Sequence, residues 1–216
     1  MEFIKSFVKR GRKLSQVKSA LLTTLLPKLT ADPKKLLSIP KDKKINLEIG
    51  FGNGDFLHNI AIKKRDEIFI GCEPYVRGVV SVLERIQDES IENILLWKED
   101  ARILIKEMPD NFLDNVFILF PDPWPKAKHH KRRIINKMLL DLLSVKMKKD
   151  SHLYIATDHQ DYKEWIIETI DEHRSYVENS DMCWKKDLFE NIETGYQKKA
   201  SKKNISSSFM CFNLSK

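Results

Sequence analysis

Residues 45–54 read INLEIGFGNG, a short apolar strand that runs directly into a glycine-rich turn. Glycine permits the positive φ values and the close backbone approach that a sharp strand-to-helix turn requires. The apolar residues of the next stretch, 56–62, have helical spacing. The segment therefore predicts the first strand–turn–helix unit of a nucleotide-binding sheet, with a tight turn that binds no ligand as the alternative.

The glycine spacing differs from the dinucleotide-binding pattern Gly-x-Gly-x-x-Gly. Gly50 and Gly52 fit that pattern, but Asp55 stands where its third glycine would be. A pyrophosphate at the start of the following helix would meet this carboxylate and that of Glu48, which is electrostatically unfavourable. The two acids favour a cationic ligand instead, such as the sulfonium and ammonium groups of S-adenosylmethionine.

Beyond the glycine turn, apolar strands alternate with amphipathic helices. We predict strands at 45–49, 68–72, 94–97, 116–120 and 153–156. We predict helices at 56–62, 76–86, 101–106, 131–147 and 162–172. This alternation indicates an α/β fold with a doubly wound, mostly parallel sheet. Residues 176–178 and 209–214 predict an antiparallel edge hairpin, and the long loop of about residues 180–207 between them is expected to be functional.

Charge is unevenly distributed along the 216 residues. Residues 1–44 carry 12 basic and 3 acidic side chains, residues 45–125 carry 8 and 15, and residues 126–216 carry 18 and 13. An acidic middle suits a cationic or hydroxyl-rich small ligand, and basic flanks suit a polyanion. Basic flanks that only aid solubility are the alternative.

The first 44 residues predict a basic arm and then an amphipathic helix that ends near Pro27, followed by an irregular linker around Asp32-Pro33 and Ile39-Pro40. Three cysteines without paired spacing argue against a disulfide scaffold and a structural zinc site, and indicate a reducing cytoplasm. No run approaches the ~20 apolar residues of a membrane span, so we expect no membrane association.

Two further carboxylates follow the second and third predicted strands. Glu73 lies about 20 residues beyond the glycines, where nucleotide-binding sheets hold ribose hydroxyls. Asp100 can accept a hydrogen bond from an adenine amine, and it is equally suited to cap the helix that follows it. Because the carboxyl ends of parallel strands share one edge, we expect Glu48, Glu73 and Asp100 in one crevice.

A proline-rich loop with the sequence FPDPWPK follows the fourth strand at residues 120–126. Its three prolines restrict the backbone, so an acid and a large aromatic would be held beside the crevice. The pair suits a flat base, with Trp124 stacking on the base and Asp122 accepting from its N–H groups. A purely structural turn is the alternative.

A basic run, KAKHHKRR, begins at the end of this loop and covers residues 126–133. Five formal positive charges without a negative one are typical of a face that contacts phosphates. A metal site is a weaker interpretation, because the adjacent His129 and His130 do not share one helix face.

In combination these motifs resemble the bacterial tRNA (guanine-N7-)-methyltransferases. The matching segments are 6–12, 47–54, 120–126, 130–133 and 156–158, and the similarity extends over nearly the whole chain. The resemblance implies a seven-stranded Rossmann-like methyltransferase fold with S-adenosyl-L-methionine as cofactor. It implies N7 of the variable-loop guanine of tRNA, position 46, as the methyl acceptor.

The resemblance also implies roles for individual residues. The cofactor would be surrounded by Glu48, Gly50, Gly52, Glu73, Asp100 and Asp122, and Asp122 would also be the catalytic residue. The substrate would be bound by Lys126, Asp158, Thr194, Tyr196 and Gln197. RNA would be contacted by Lys128, His129, His130, Lys131, Arg132 and Arg133. Members of the family usually carry Glu where this chain has Gln197, so an amide replaces a carboxylate there.

On this basis residues 1–44 form a basic arm and amphipathic helix that contact tRNA, and residues 45–216 form the methyltransferase domain. We expect a cytoplasmic monomer or homodimer that binds tRNA and requires no metal. Three other classes stay open from the residues alone: a non-catalytic RNA-binding module on a degenerate methyltransferase fold, an oxidoreductase, and a methyltransferase acting on another RNA or on protein.

Overall fold

A computed structural model of the chain describes residues 3–7, 14–179 and 207–215. Seven strands within these ranges are β1 Ile45–Ile49, β2 Ile68–Cys72, β3 Ile94–Trp97, β4 Leu113–Leu119, β5 Met147–Thr157, β6 Tyr176–Glu178 and β7 Ser208–Leu214. The α-helices are α1 Gln16–Thr24, α2 Leu26–Leu29, α3 Pro33–Leu37, α4 Asp55–Lys63, α5 Val76–Glu89, α6 Ala101–Glu107, α7 Lys137–Lys146 and α8 Gln160–His173. A 3₁₀ helix spans Ala127–Arg132.

The strands form one sheet in the order β3-β2-β1-β4-β5-β7-β6. Strands β1 to β5 pair in parallel, and β7 runs antiparallel to both β5 and β6. The chain moves outward from β1 to β3 on one side and from β4 to β5 on the other, so β1 and β4 form the topological switch point. The predicted α/β class, the seven strands and the antiparallel edge are confirmed.

Two hydrophobic cores cover the two faces of the sheet. Along β4, Val116 and Ile118 belong to one core, whereas Phe117 and Leu119 belong to the other. This alternation follows from the two-residue period of a strand. Phe117 also stacks on Tyr154 of β5 with ring centroids 4.8 Å apart. Burial on both faces explains why β4 is apolar at successive positions.

The segment before β1 is more ordered than its sequence predicts. Leu26 enters one core, and Leu36 enters the other. The predicted irregular linker is wrong over α3, because Asp32 caps this short helix by accepting from the Lys35 N–H and Pro33 occupies its first turn. The division into a tRNA-contacting segment, residues 1–44, and a methyltransferase domain, residues 45–216, stays a prediction. Residues 26–36 pack on the sheet of that domain.

The predicted helix at 131–147 is also wrong at its start. The 3₁₀ helix ends at Arg132, residue 133 leaves helical geometry with ψ 126°, and α7 begins only after Asn136, whose side chain caps it. Strand β5 begins at Met147, six residues before its predicted start, because its first half is polar and gives no apolar signal.

The longest helices in the described ranges, α5 and α8, have 14 residues each. None of the described helices combines the length and apolar character needed to cross a bilayer.

Candidate functional site

A cavity of about 670 Å³ lies at the carboxyl edge of the sheet, at the switch point between β1 and β4. Its volume falls within the usual range of small-molecule sites. Five residues predicted to bind a cofactor line it together: Gly50, Gly52, Glu73, Asp100 and Asp122. Glu48 is only 4% exposed and lies within the wall, next to the lining residue Ile49.

Glu73, which follows β2, fixes the glycine turn through a hydrogen bond. Its Oε2 accepts from the N–H of Gly52 at 2.8 Å, and its Oε1 accepts from the N–H of Tyr75 at 2.8 Å. Helix α5 packs directly on the turn, since a Cβ at Gly78 would lie 1.9 Å from the Gly52 carbonyl oxygen. The carboxylate therefore fixes the backbone that a ligand would approach, in addition to lining the cavity.

Glu48 is a buried acid whose carboxyl oxygens are only partly hydrogen-bonded. Its Oε2 has no hydrogen-bond partner among the described residues. Burial raises the pKa of Glu48 well above its usual range, and the nearby Glu73 and Asp55 raise it further, while the backbone N–H of Leu57 acts in the opposite direction. A positively charged ligand would supply the missing interaction.

Burial also raises the pKa of two acids that line the cavity, Glu73 and Asp122. Burial raises the pKa of Glu73, although the N–H groups of Tyr75 and Gly52 oppose the shift. Asp122 lies at the mouth of the cavity, where much of the residue is exposed, yet partial burial of its carboxyl group raises its pKa. A cluster of acids with raised pKa values in a cleft is typical of a functional site.

Asp100 caps the helix that follows it and also lines the cavity. It caps α6 by accepting from the Arg102 N–H at 3.0 Å and pairs with the Arg102 guanidinium through both oxygens, at 2.9 and 2.6 Å. It also lines the cavity. Arg102 is 2% exposed, so this buried cation orients the carboxylate. No pattern in the local sequence predicts this role for Arg102.

The prediction that Asp55 faces a ligand is wrong. Its Oδ1 pairs with the guanidinium of Arg85 on α5 at 2.7 Å. Asp55 is also the first residue of α4, where the helix dipole favours a negative charge. Its charge is therefore explained within the protein.

The N-terminal residues 3–7 reach the same cavity, which the sequence did not predict. Ser6 and Phe7 line it. The Ile4 carbonyl accepts from the Arg102 guanidinium at 2.8 Å, and that of Ser6 accepts from the Trp124 indole N–H at 3.2 Å. These contacts tie the chain start to both the Asp100 side and the Asp122 side of the crevice.

The proline-rich loop is anchored differently from the prediction. The Arg132 guanidinium lies 4.8 Å from the centroid of the Trp124 ring, and His129 meets the ring edge-on at 5.8 Å. Because the indole is engaged by these groups and by Ser6, Trp124 supports the loop. The expectation that Trp124 stacks on a base stays a prediction.

The basic run divides into exposed and buried members. Lys126, Lys128 and Lys131 are exposed, and His129, His130 and Arg132 are partly exposed. Arg133 is 1% exposed and directs its guanidinium inward, so the prediction that it contacts RNA is wrong. Partial desolvation and the neighbouring cations, Arg132 first, lower the pKa of His129.

Asp158 is exposed directly after β5, at the same edge of the sheet as Asp122. The predicted substrate-binding residues Thr194, Tyr196 and Gln197 lie outside the described residues, as do Lys9, Arg10 and Arg12 of the basic arm. Within the ranges that the structure covers, no group of three or more His, Cys, Asp or Glu side chains is arranged to hold a metal ion.

The chain is similar to known methyltransferases. The sequence profile of a family described as "Putative methyltransferase" matches residues 42–209. A tRNA (guanine-N(7)-)-methyltransferase of Wolbachia pipientis wMel is 43% identical over 180 residues, which cover 83% of this chain and 80% of the relative. A protein of the same name from Zymomonas mobilis is 39% identical, over 73% of this chain and 70% of its own.

A bifunctional methyltransferase of Rickettsia conorii is 37% identical over 95% of this chain but only 39% of its own length. Among solved structures, the 16S rRNA methyltransferase KamB superposes with a TM-score of 0.57 at 10% identity, covering 100% of both chains. The 16S rRNA (adenine(1408)-N(1))-methyltransferase of Catenulisporales acidiphilia gives 0.55 at 14% identity, over 85% of this chain and 93% of its own. At such identities these structures share the fold.

The buried acid Glu48 generates a stability prediction. Its pKa is raised in the folded state, so its contribution to stability is complete at acidic pH and is lost as pH rises through the raised value. We expect Glu48→Gln to raise the unfolding free energy of the ligand-free protein near neutral pH by about 1–3 kcal/mol, because the neutral amide avoids the cost of burying a negative charge that has an unpartnered oxygen. Thermal unfolding across a pH series measures this.

Glu92→Gln, at an exposed position, is the matched control and should unfold like the wild type. If the unfolding free energy of Glu48→Gln decreases with rising pH as steeply as that of the wild type, the buried charge does not belong to Glu48.

Proposed function

The chain belongs to the bacterial tRNA (guanine-N7-)-methyltransferase family, and we propose that it methylates N7 of the guanine at position 46, in the variable loop of tRNA. The chain transfers the methyl group from S-adenosyl-L-methionine to N7 of a tRNA guanine. The observation that carries the proposal is the acidic crevice at the switch point, with Asp122 at its mouth and exposed lysines immediately beyond. The crevice suits a cationic donor, and the lysines suit a polyanionic acceptor.

The residues present fit this cofactor. When bound, it supplies an electrophilic methyl group on a positively charged sulfur. Glu73 would accept from the ribose hydroxyls, Asp100 from the adenine amine, and Glu48 would offset the positive charge of the methionine end. The uncompensated Oε2 of Glu48 supports this fit, because a buried carboxylate oxygen without a partner requires a cation or a donor.

Asp122 is the group best placed to act on the base. Guanine N7 carries a free lone pair in the plane of the ring, so no general base has to remove a proton before the transfer. The purine becomes positively charged as N7 gains the methyl group. Asp122 would accept from the N–H groups of the base and stabilise this charge, so catalysis consists mainly of positioning and electrostatics. The base has to leave its stack to reach the crevice.

The RNA backbone would lie along the basic run outside the crevice. We propose phosphate contacts for Lys128, Lys131 and Arg132, with His129 and His130 beside them, and substrate contacts for Lys126 and Asp158. The basic arm within residues 1–44 and the C-terminal residues Thr194, Tyr196 and Gln197 complete the proposed tRNA surface. A cytoplasmic location and a monomeric or homodimeric state stay predictions.

Methyl transfer to an unmodified tRNA transcript tests the proposal directly. We expect 7-methylguanosine as the product of the reaction with S-adenosyl-L-methionine, detected by nucleoside analysis after digestion. A transcript in which guanine 46 is replaced by adenine is the matched control and should accept no methyl group. Methylation of this control at another guanine would overturn the assigned position.

Asp122→Asn keeps the shape of the side chain and removes its charge. We expect the single-turnover rate of methyl transfer to fall at least ~10-fold, equivalent to about 1.4 kcal/mol of barrier, because the charge stabilises the developing purine cation. Asp88→Asn, at an exposed position of α5, is the control. A rate within error of the wild type would show that the Asp122 charge is not used.

The exposed lysines of the basic run predict the salt dependence of tRNA binding. Each of Lys128→Gln and Lys131→Gln should flatten the log–log slope of binding against salt by about 0.7–0.9, the contribution of one phosphate contact. Lys137→Gln removes an exposed lysine that already pairs with Asp141, so its slope should equal that of the wild type. Unchanged slopes in both basic-run variants would show that this run is only a solvated face.

A further inference from the structure

Arg133 is a buried cation with five separate partners. Its Nε donates to the carbonyl of Pro123 at 3.0 Å, and one terminal nitrogen donates to Nε2 of His130 at 3.1 Å. The same nitrogen pairs with Asp161 in the first turn of α8. The guanidinium also lies over the rings of Tyr162 and Trp165, at 5.0 and 5.1 Å from their centroids. A side chain so enclosed is not available to RNA phosphates.

The carbonyl that Arg133 holds belongs to the residue immediately after Asp122. The loop around it carries two bulky residues in the left-handed region, Phe120 with φ 52° and Trp124 with φ 44°. Such conformations are unfavourable for residues other than glycine and persist only where surrounding contacts impose them. Pro121 and Pro123 cannot donate backbone hydrogen bonds, so the loop depends on contacts from outside.

Three contacts from outside the loop restrain it at successive points. The N–H of Phe120 donates to the Ala156 carbonyl at 2.8 Å, and the Trp124 indole donates to Ser6 at 3.2 Å. Arg133 acts between these two points, at Pro123, and is the contact adjacent in sequence to Asp122. Arg133 connects Pro123 to α8, which begins just after Asp158. Asp122 and Asp158, the two acids at the substrate edge, are therefore both held relative to the same helix.

We propose that Arg133 is a positioning residue that holds the Asp122 carboxylate in its reactive location by clamping the Pro123 carbonyl to α8. The inference rests on the proposed function, because the location of Asp122 matters only if Asp122 acts on the reacting base. Lysine cannot replace this residue, since one ammonium group lacks the planar fork that bonds Pro123 and Asp161 while it also contacts the rings of Tyr162 and Trp165.

The test compares Arg133→Lys with the wild type in steady-state methyl transfer to tRNA and in binding. We expect kcat to fall at least ~10-fold, since misplacement of a reacting group reduces turnover steeply. The KM for tRNA, the donor Kd and the salt slope of tRNA binding should stay near wild-type values, because no phosphate contact is lost. Asp161→Asn removes the exposed partner of the clamp and should lower kcat in the same way but less, with KM unchanged.

Lys137→Met, which breaks an exposed lysine–aspartate pair nearby, is the control and should retain wild-type kcat. A folded Arg133→Lys protein with wild-type kcat overturns the inference, and so does a salt slope reduced by one phosphate contact. If Arg133→Lys does not fold, Asp161→Asn decides, and wild-type kcat in that variant overturns the clamp. A wild-type protein that forms no 7-methylguanosine would instead overturn the proposed function.

Discussion

The parallel pairing of β1 with β4 is the constraint on which the site depends. Leu47 of β1 lies in register with Val116 of β4, so the two strands end side by side at the carboxyl edge. Their connections leave in opposite directions, which opens a crevice between them. One wall receives the glycine turn after Ile49 and the other receives the loop of Asp122. Glu73, which fixes the glycine turn, thus faces Asp122, the acid that we propose acts on the methyl acceptor.

This arrangement stores unfavourable energy in the ligand-free protein. Glu48, Glu73 and Asp122 all have raised pKa values, and the loop after β4 has two bulky residues at positive φ. Two buried cations fix the backbone and side chains around these groups, since Arg102 pairs with Asp100 and Arg133 holds the carbonyl of Pro123. Groups that are fixed before the ligand arrives need no reorganisation during the reaction, which is how electrostatic preorganisation contributes to catalysis.

The sequence predicted the features that local pattern controls. The bounds of β1, β2 and β3 agree because each is a short apolar run that a turn or a charged residue ends. Side chains whose partners lie far along the chain were not predictable in this way. The pairing of Asp55 with Arg85 spans 30 residues, and that of Arg102 with Ile4 spans 98. Arg133 looked like one more cation of a basic run, and nothing in the local sequence distinguishes the member that turns inward.

The acidic crevice and the basic run have to serve one ligand that carries many negative charges. Only three residues separate Asp122 from Lys126. Two of them are prolines, which restrict the backbone and so keep the two charged side chains apart. Exposed charges act over about 8 Å at physiological ionic strength, so phosphates respond mainly to the lysines outside the crevice. In the function that we propose, a base removed from its stack carries no phosphate charge into the crevice and presents N–H groups to Asp122. The rigid loop would then separate the recognition of the RNA backbone from the chemistry on the base.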